Sequence, residues 1–568
     1  MSLQFIFGNS GSGKSHYLYQ QIVEESIRHP EKNYLVLVPE QFTMQTQKDL
    51  CMAHPRGGIM NIDVLSFGRL AHRVFEETGK ERQPILDDEG KNLVLRKIAG
   101  NYEDELTVLK GNLKKQGYIS EVKSVISEFT QYGIDFEQLD SFMEGLNSES
   151  YLYYKLKDIR KVYEGFEDYL HDKYITKEEL LDVLSQNVAE AKMLKDSVIA
   201  MDGFTGFTPV QNRLIGELLK VCDKIMLTVE IDRREDPFVY KHPYQLFALS
   251  KQMVTSLTEV AQEVKVEIDE PVWLCKNPPY RFKENPEMAF LEEELFRYSR
   301  RKYSGEKMQS ISLHEVHTPQ EEAQYVAEEI RRLVREEGYR YREIAVIASD
   351  LNTYADSLEK ACERYEIPVF MDHKKSILLN SFVEYLRSLL VMVEQNYTYE
   401  SVFRYLRTGL CGFTRDEVDR LENYCLALDL KGFKKWDQVW VRKTPMTKKE
   451  ELEELNQLRV RFVEKLTPLH TVLKKRRKTV KEITLAVYEY LVQEKIQEQL
   501  AELEQKFQEE GELALAKEYA QIYRIVLELF DKFVELLGEE EIPLKEYCEL
   551  LVWRRQRSGL FRQVWIRL

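Results

Sequence analysis

The sequence has no run of about 18 apolar residues able to cross a bilayer and nothing with the layout of a signal peptide. A cytoplasmic protein that does not engage a membrane is therefore expected. Its seven cysteines, Cys51, Cys222, Cys275, Cys362, Cys411, Cys425 and Cys548, show no C-x-x-C spacing. They read as reduced thiols rather than as a metal cage or a disulfide framework. Positive charge is also scarce, with 81 Lys and Arg against 96 Asp and Glu and a formal net charge of −15. That argues against a general nucleic-acid coat, while a basic channel inside an acidic exterior stays open. At 43% hydrophobic and 31% charged over 568 residues, no disorder class fits, and about three or four folded domains are expected.

What is present begins almost at once. "FIFGNSGSGKSHYL" (5–18) satisfies G-x-x-x-x-G-K-[ST] through Gly8, Gly13, Lys14 and Ser15, with Gly11 inside the loop. An apolar strand precedes it and a helix from about Lys14 to Ser26 follows, which is the context a phosphate loop requires. Glycines let backbone N–H groups turn toward phosphates, Lys14 adds a point charge, and Ser15 offers a hydroxyl to Mg²⁺. ATP and Mg²⁺ are the expected cofactors. A second requirement is a carboxylate after another strand. "VIAMDGFTGFTPVQNRLI" (198–215) supplies Asp202 as that metal ligand, and Gln211 stands where a γ-phosphate-sensing glutamine would. The next residue, Gly203, stands where a hydrolysing helicase has glutamate. As a plainer alternative, Asp202 caps a turn.

Strands at Asn33–Thr43 and from Asn61 alternate with helices, so an α/β domain with a parallel sheet is expected. From about Asp87 to Lys195 helical spacing replaces strand signals, and strands resume at Ser197–Phe204 and Asp223–Ile231. One sheet is thus built from two stretches, 1–86 and 196–297, around a helical insertion at 87–195. After a basic link near Tyr298–Lys307, strands at Ile311–His317, Glu343–Ser349 and Ile367–His373 suggest a second α/β unit at 298–395. A helical part follows at 396–551, in whose last long helix Leu515, Tyr519, Ile522, Val526, Leu529, Phe533 and Leu536 recur at 4-3 spacing, read as a core or partner-facing stripe. The end, 552–568, has five arginines, two tryptophans and no acid. It reads as an aberrant, prematurely ended C-terminus, with a basic nucleic-acid tail as the alternative.

In order, "GNSGSGKS", "LVPEQFT", "VLSFGRLA", "MDGFTGFTPVQ", "EEAQYVAEEIRRLVREEGYRYREIAVIAS", "YEIPVFMDHKKSILLNSFVEYLRSLL" and "ENYCLALDLKG" make the chain resemble the B subunit of the AddAB-type bacterial ATP-dependent helicase–exonuclease. The likeness covers about residues 1–550. It implies a superfamily 1 architecture: two RecA-like P-loop NTPase domains (1–86 with 196–297, and the first part of a second at 298–395), each with a helical insertion (87–195 and, in part, 396–551). It also implies a heterodimer with an A-type helicase–nuclease motor, acting on duplex-end and single-stranded DNA in double-strand break repair by homologous recombination. The B subunit in that family scans one strand for the Chi sequence instead of driving the motor.

Gln41, Thr43, Phe67, Arg69 and Phe207 match positions that the family uses for the strand and for Chi. Their types suit the task, since Phe stacks on bases, Gln and Thr bond base edges and Arg takes phosphate or guanine. Phe67 and Phe207 as plain core residues are the alternative, and the basic run Lys474–Lys478 reads as a solvated helix start before it reads as a DNA contact. Departures from working helicases fit a passive role: little room precedes Gly8 for an adenine-reading motif, Gly203 replaces the glutamate, and Ser349 occupies the place of a phosphate-facing arginine. Full-length family members continue into a nuclease domain with a 4Fe-4S cluster held by four cysteines. This chain has no counterpart of those ligands, so it is expected to be a truncated member without nuclease activity. The rivals are a stand-alone P-loop NTPase or kinase, which would turn over nucleotide without DNA, and a purely structural partner with an empty loop.

Overall fold

Alternation along the first strand sets the architecture. Leu3, Phe5 and Phe7 belong to one buried core and Ile6 to another, as the two-residue period of a strand demands when both sheet faces are covered. The computed structural model describes residues 1–568 except 80–83, 114, 172, 298–299, 306–307, 372–376, 444–448 and 553–568. The chain divides into two units, Met1–Leu313 and His314–Leu568.

In the first unit the strands are β1 (Ser2–Gly8), β2 (Tyr34–Leu37), β3 (Ile62–Leu65), β4 (Ile85–Leu86), β5 (Ile175–Thr176), β6 (Val198–Met201), β7 (Lys224–Glu230), β8 (Glu267–Ile268) and β9 (Val272–Trp273). The main sheet runs β3-β2-β6-β7-β1, and β8 and β9 lie one after the other along the free edge of β1. Every strand pairing of the main sheet is parallel, so all its carboxyl ends share one edge, where ligands of open α/β sheets bind; β4 and β5 pair with each other in a separate two-stranded sheet. Helices Phe67–Thr78, Leu180–Asn187, Pro209–Leu219 and Ala248–Glu263 cover one face through Leu70, Leu184, Leu214 and Leu257. Helices Lys14–Arg28 and Thr43–Ala53 cover the other through Leu18, Ile22 and Leu50. This is the expected parallel α/β domain made from two stretches.

The interruption is helical, with Asp88–Asn101, Gln116–Tyr132, Phe136–Glu144 and Tyr151–Leu170. One boundary differs from the expectation. Leu180, Leu184, Val188 and Leu194 fall inside 87–195, yet they are buried in the sheet's own core. Charged flanks hide this in the sequence: helix Leu180–Asn187 follows an acidic, lysine-bearing stretch and looks like more of the insertion.

The second unit is helical among its described residues. Pro319–Glu336 packs on Leu351–Arg364 through Ala323, Ala327, Ile330, Leu358 and Cys362. The segments expected as strands near Ile311, where the first unit ends, and near Glu343 and Ile367 contain no strand among the described residues, and His373 lies outside those residues. A strand exists only where a neighbour completes its ladder, and these segments have none, which leaves Leu313, Ile347 and Phe370 at 98%, 95% and 72% exposure. From Ser381 a helical array ends with Leu513–Leu537 and Leu544–Val552. In Leu513–Leu537, Ile522, Val526, Leu529, Phe533 and Leu536 are buried, so the 4-3 stripe is core, with Leu515 exposed at its end. The basic tail expected at 552–568 lies, beyond Val552, outside the described residues. No described helix is long and apolar enough to cross a membrane.

Candidate functional site

β1 ends at Gly8, opposite Glu230 of β7, and the chain turns through the loop Asn9–Gly13 into the helix Lys14–Arg28. The Lys14 ammonium folds back to donate to the Asn9 carbonyl at 2.9 Å. Burial pushes its pKa down, against the pull of Glu230, Asp202, Cys275 and Glu292. Two polar atoms of this loop, Asn9 Oδ1 and Ser12 Oγ, are buried without a partner. Such an atom costs about 1–3 kcal/mol, so the pair marks a place shaped for a polar ligand. The donor set suits a magnesium nucleotide: backbone N–H groups and Lys14 for phosphate oxygens, with Ser15 and Asp202 for the metal, which keeps most of its waters.

The outer side of the loop is walled by chain far away in sequence. Leu274 donates its N–H to the Phe7 carbonyl at 2.8 Å, and Arg281 donates its N–H to the Gly11 carbonyl at 3.0 Å. Gly11 has φ +73°, and a Cβ there would sit 2.9 Å from Arg281 Cβ and 3.1 Å from the Phe282 ring. Glycine is required at this point on both counts. Glu292 accepts from Asn9 Nδ2 at 2.9 Å. Sequence reasoning misses Asn9, Arg281, Phe282 and Glu292. The only local trace is a glycine at a motif position that tolerates any residue.

Asp202 follows β6 and is 8% exposed. Its N–H donates to the Leu37 carbonyl, and its carboxylate accepts from Thr228 Oγ1 and, at 2.8 Å, from the Tyr19 hydroxyl. Asp202 lies within the electrostatic reach of Lys14, so the structure brings these two expected residues together. Gly203 is exposed and has φ +78°, and a Cβ added there would meet Pro39 Cδ at 3.6 Å and the Phe42 ring at 3.8 Å, ordinary contact distances. Gln211, expected as a γ-phosphate sensor, makes a local contact here. Gln211 Oε1 accepts from the Thr208 N–H at 2.9 Å while Thr208 Oγ1 accepts from the Gln211 N–H. This capping box satisfies otherwise unpaired N–H groups at the start of helix Pro209–Leu219, and it commits the side-chain oxygen to the fold.

The residues expected at DNA divide by burial. Gln41 and Arg69 are exposed. Phe67 is 7% exposed and packs against Phe204 and Phe207 with ring centroids 5.5 and 6.2 Å away, so it is a core residue, and Phe207 is its half-buried neighbour. Thr43 is 4% exposed, with its hydroxyl donating to the Glu40 carbonyl. The aromatic that does reach solvent is Phe42, 48% exposed on the short turn Glu40–Phe42. It sits inside the quoted "PEQFT", between the two residues expected at DNA. The basic run also resolves: Lys478 is buried and donates to the Leu473 carbonyl that ends a helix, while Lys475 and Arg477 lie 3.9 and 4.0 Å from Glu482 and Glu541.

Residues 5–292 match the family described as "ADDB, N-terminal", and residues 284–551 match the "UvrD-like helicase C-terminal domain". Among similar proteins, the B subunit of the ATP-dependent helicase/deoxyribonuclease of Lachnoclostridium phytofermentans is 41% identical over 99% of this chain and 49% of its own length. Proteins of the same name from Clostridium novyi and Caldanaerobacter subterraneus subsp. tengcongensis are 33% and 34% identical, each over 97% of this chain and 48% of their own length. The chain thus spans about half the length of these relatives. With more than half of it matched by that N-terminal family, over the stretch that carries the phosphate loop and Asp202, the chain belongs to the AddB family.

Proposed function

We propose that this chain is a nucleotide- and DNA-holding part of a two-subunit, ATP-dependent helicase–exonuclease of the bacterial cytoplasm that prepares broken duplex ends for homologous recombination. In this reading an A-type partner is the motor, and this chain receives one unwound strand and scans it for Chi. The strand lies over the turn Glu40–Phe42 and Arg69, where Phe42 stacks on a base, Gln41 bonds a base edge and Arg69 takes phosphate. The match of residues 284–551 to the UvrD-like helicase C-terminal domain supports assigning residues 298–395 to a second RecA-like domain.

The observation that carries the reading is an intact phosphate loop beside a position that cannot act on water. Lys14, Ser15 and Asp202 suffice to hold magnesium ATP in its ground state. The nucleotide, when bound, supplies a charged, conformation-dependent ligand and no chemistry that this chain completes. Gly203 has no side chain, so nothing at the place where a hydrolysing enzyme aims a carboxylate can orient water. A stand-alone kinase or NTPase would need such a group. Binding of a fluorescent ATP analogue and hydrolysis with and without single-stranded DNA test this together. Saturable binding lost in Lys14→Ala, with no DNA-stimulated hydrolysis, is expected. Turnover of several per second that Lys14→Ala abolishes would refute it.

A further inference from the structure

Asp202 is the junction of a buried hydroxyl chain. The Tyr19 oxygen that donates to Asp202 Oδ2 at 2.8 Å also lies 3.3 Å from Thr46 Oγ1. Tyr19, Thr46, Asp202 and Thr228 are 9%, 4%, 8% and 4% exposed. A phenol has one proton, and the 2.8 Å contact places it on the Asp202 carboxylate, which can only accept. The Tyr19 oxygen can then only accept from Thr46, which fixes the direction: Thr46 donates to Tyr19, and Tyr19 donates to Asp202. Each member depends on the next, because a half-satisfied buried chain is costly.

The ends of this chain lie in different places. Tyr19 is on the helix that starts at Lys14, and Thr46 is on Thr43–Ala53, which continues directly from the turn Glu40–Phe42. A ligand drawing on Asp202 therefore acts, through Tyr19 and Thr46, on the helix that continues from the turn carrying Gln41 and Phe42.

Resting on the reading that Asp202 serves a bound magnesium nucleotide, we propose that Tyr19 is a positioning residue for Asp202 and that the chain Thr46–Tyr19–Asp202 couples the nucleotide site to the turn Glu40–Phe42, so that nucleotide and single-stranded DNA alter each other's affinity. Such coupling is reciprocal by linkage. A ligand that reorients the carboxylate changes the cost of holding Thr46, and DNA that shifts the turn changes the aim of Asp202.

The test measures the affinity of the full chain for a labelled single-stranded oligonucleotide, at fixed ionic strength, with and without saturating magnesium and a fluorescent ATP analogue. The magnesium midpoint for analogue binding is measured separately. In the wild type the nucleotide is expected to change DNA affinity by about fivefold or more. Thr46→Val, close to isosteric, is expected to leave the magnesium midpoint within about twofold and to bring the DNA ratio below about twofold, since it removes only the far donor. Tyr19→Phe removes the donor to Asp202 itself, so it should both raise the magnesium midpoint and abolish the ratio. Wild-type coupling that survives in Thr46→Val, or a wild type that binds both ligands with no mutual effect, overturns the inference alone. A wild type that binds no nucleotide overturns the proposed function, and this inference falls with it.

Discussion

Substituting Gly11 by alanine tests whether the wall formed by Arg281 and Phe282 holds the phosphate loop in shape. Two costs can be worked out. An L-residue at φ +73° is disfavoured by about 1–2 kcal/mol. The new methyl would sit 2.9 Å from Arg281 Cβ, an atom fixed to the backbone, so the two must separate by roughly 0.6 Å to reach ordinary carbon contact. That movement strains the bond from the Arg281 N–H to the Gly11 carbonyl, 3.0 Å long and worth about 0.5–1.5 kcal/mol. Together these give about 2–3 kcal/mol, divided between stability and the set of N–H groups aimed at phosphate. If most of it falls on binding, nucleotide affinity drops about 30-fold or more, at 1.4 kcal/mol per decade. If most falls on folding, Tm drops by several degrees. Fluorescence titration and thermal denaturation read both, with Gly206→Ala as control, because Gly206 has ordinary φ and a methyl added there would meet no atom within 4 Å. Gly11→Ala matching that control in affinity and in Tm would refute the argument.

Phe67→Ala removes a core ring and should lower stability by about 3–5 kcal/mol. Phe42→Ala should leave Tm within a degree or so and weaken single-stranded DNA binding by about 1–3 kcal/mol; the reverse pattern would unseat the assignment of Phe42 to DNA. Gln211→Ala should cost about 1 kcal/mol of stability through the lost cap while nucleotide affinity stays within about twofold, and a large loss of affinity would return Gln211 to the nucleotide. Gly203→Glu should lower Tm through a cost of about 1–2 kcal/mol in the left-handed region and yield no DNA-stimulated turnover, so several turnovers per second would show that one carboxylate was all that was missing. Burial, with Glu179 and Asp168 adding to it, lifts the Glu167 carboxyl to about 7. The folded state then keeps a proton that the unfolded chain loses near ~4.3, so stability should fall as pH rises between those values. Glu167→Gln should raise folding stability at pH 8, by on the order of 1–2 kcal/mol after screening, and leave it unchanged at pH 4, as read by denaturation at the two pH values; equal effects at both would contradict the shift.

Features encoded by neighbouring residues are legible in the sequence. The phosphate loop, its strand and its helix occupy one short stretch, and the alternation in Leu3, Phe5 and Phe7 already carries the two-sided burial of β1. Features decided by distant partners are not. "SFGR" and "GFTP" present Phe67 and Phe207 with equal plausibility as base-stackers, and only the meeting of two separated segments around Phe204 turns Phe67 inward. "TPVQ" places glutamine where a phosphate sensor would stand, but the same four residues spell a helix N-cap, and the capping box engages the glutamine oxygen. The segments near Ile311, Glu343 and Ile367 have strand composition, yet composition supplies only half of a ladder. The Asp202–Gly203 pair shows both kinds of information in adjacent residues. Asp202 is readable from the apolar strand before it, whereas its hydrogen bond from Tyr19 arises from chain 183 positions away and the left-handed backbone of Gly203 has no signal beyond the glycine itself. A glycine that looks in sequence like a simple loss of a catalytic carboxylate sits, in the fold, at φ +78°, a backbone shape that favours glycine on its own account. Restoring a carboxylate there places an L-residue in the left-handed region, so the substitution costs stability before it can restore hydrolysis.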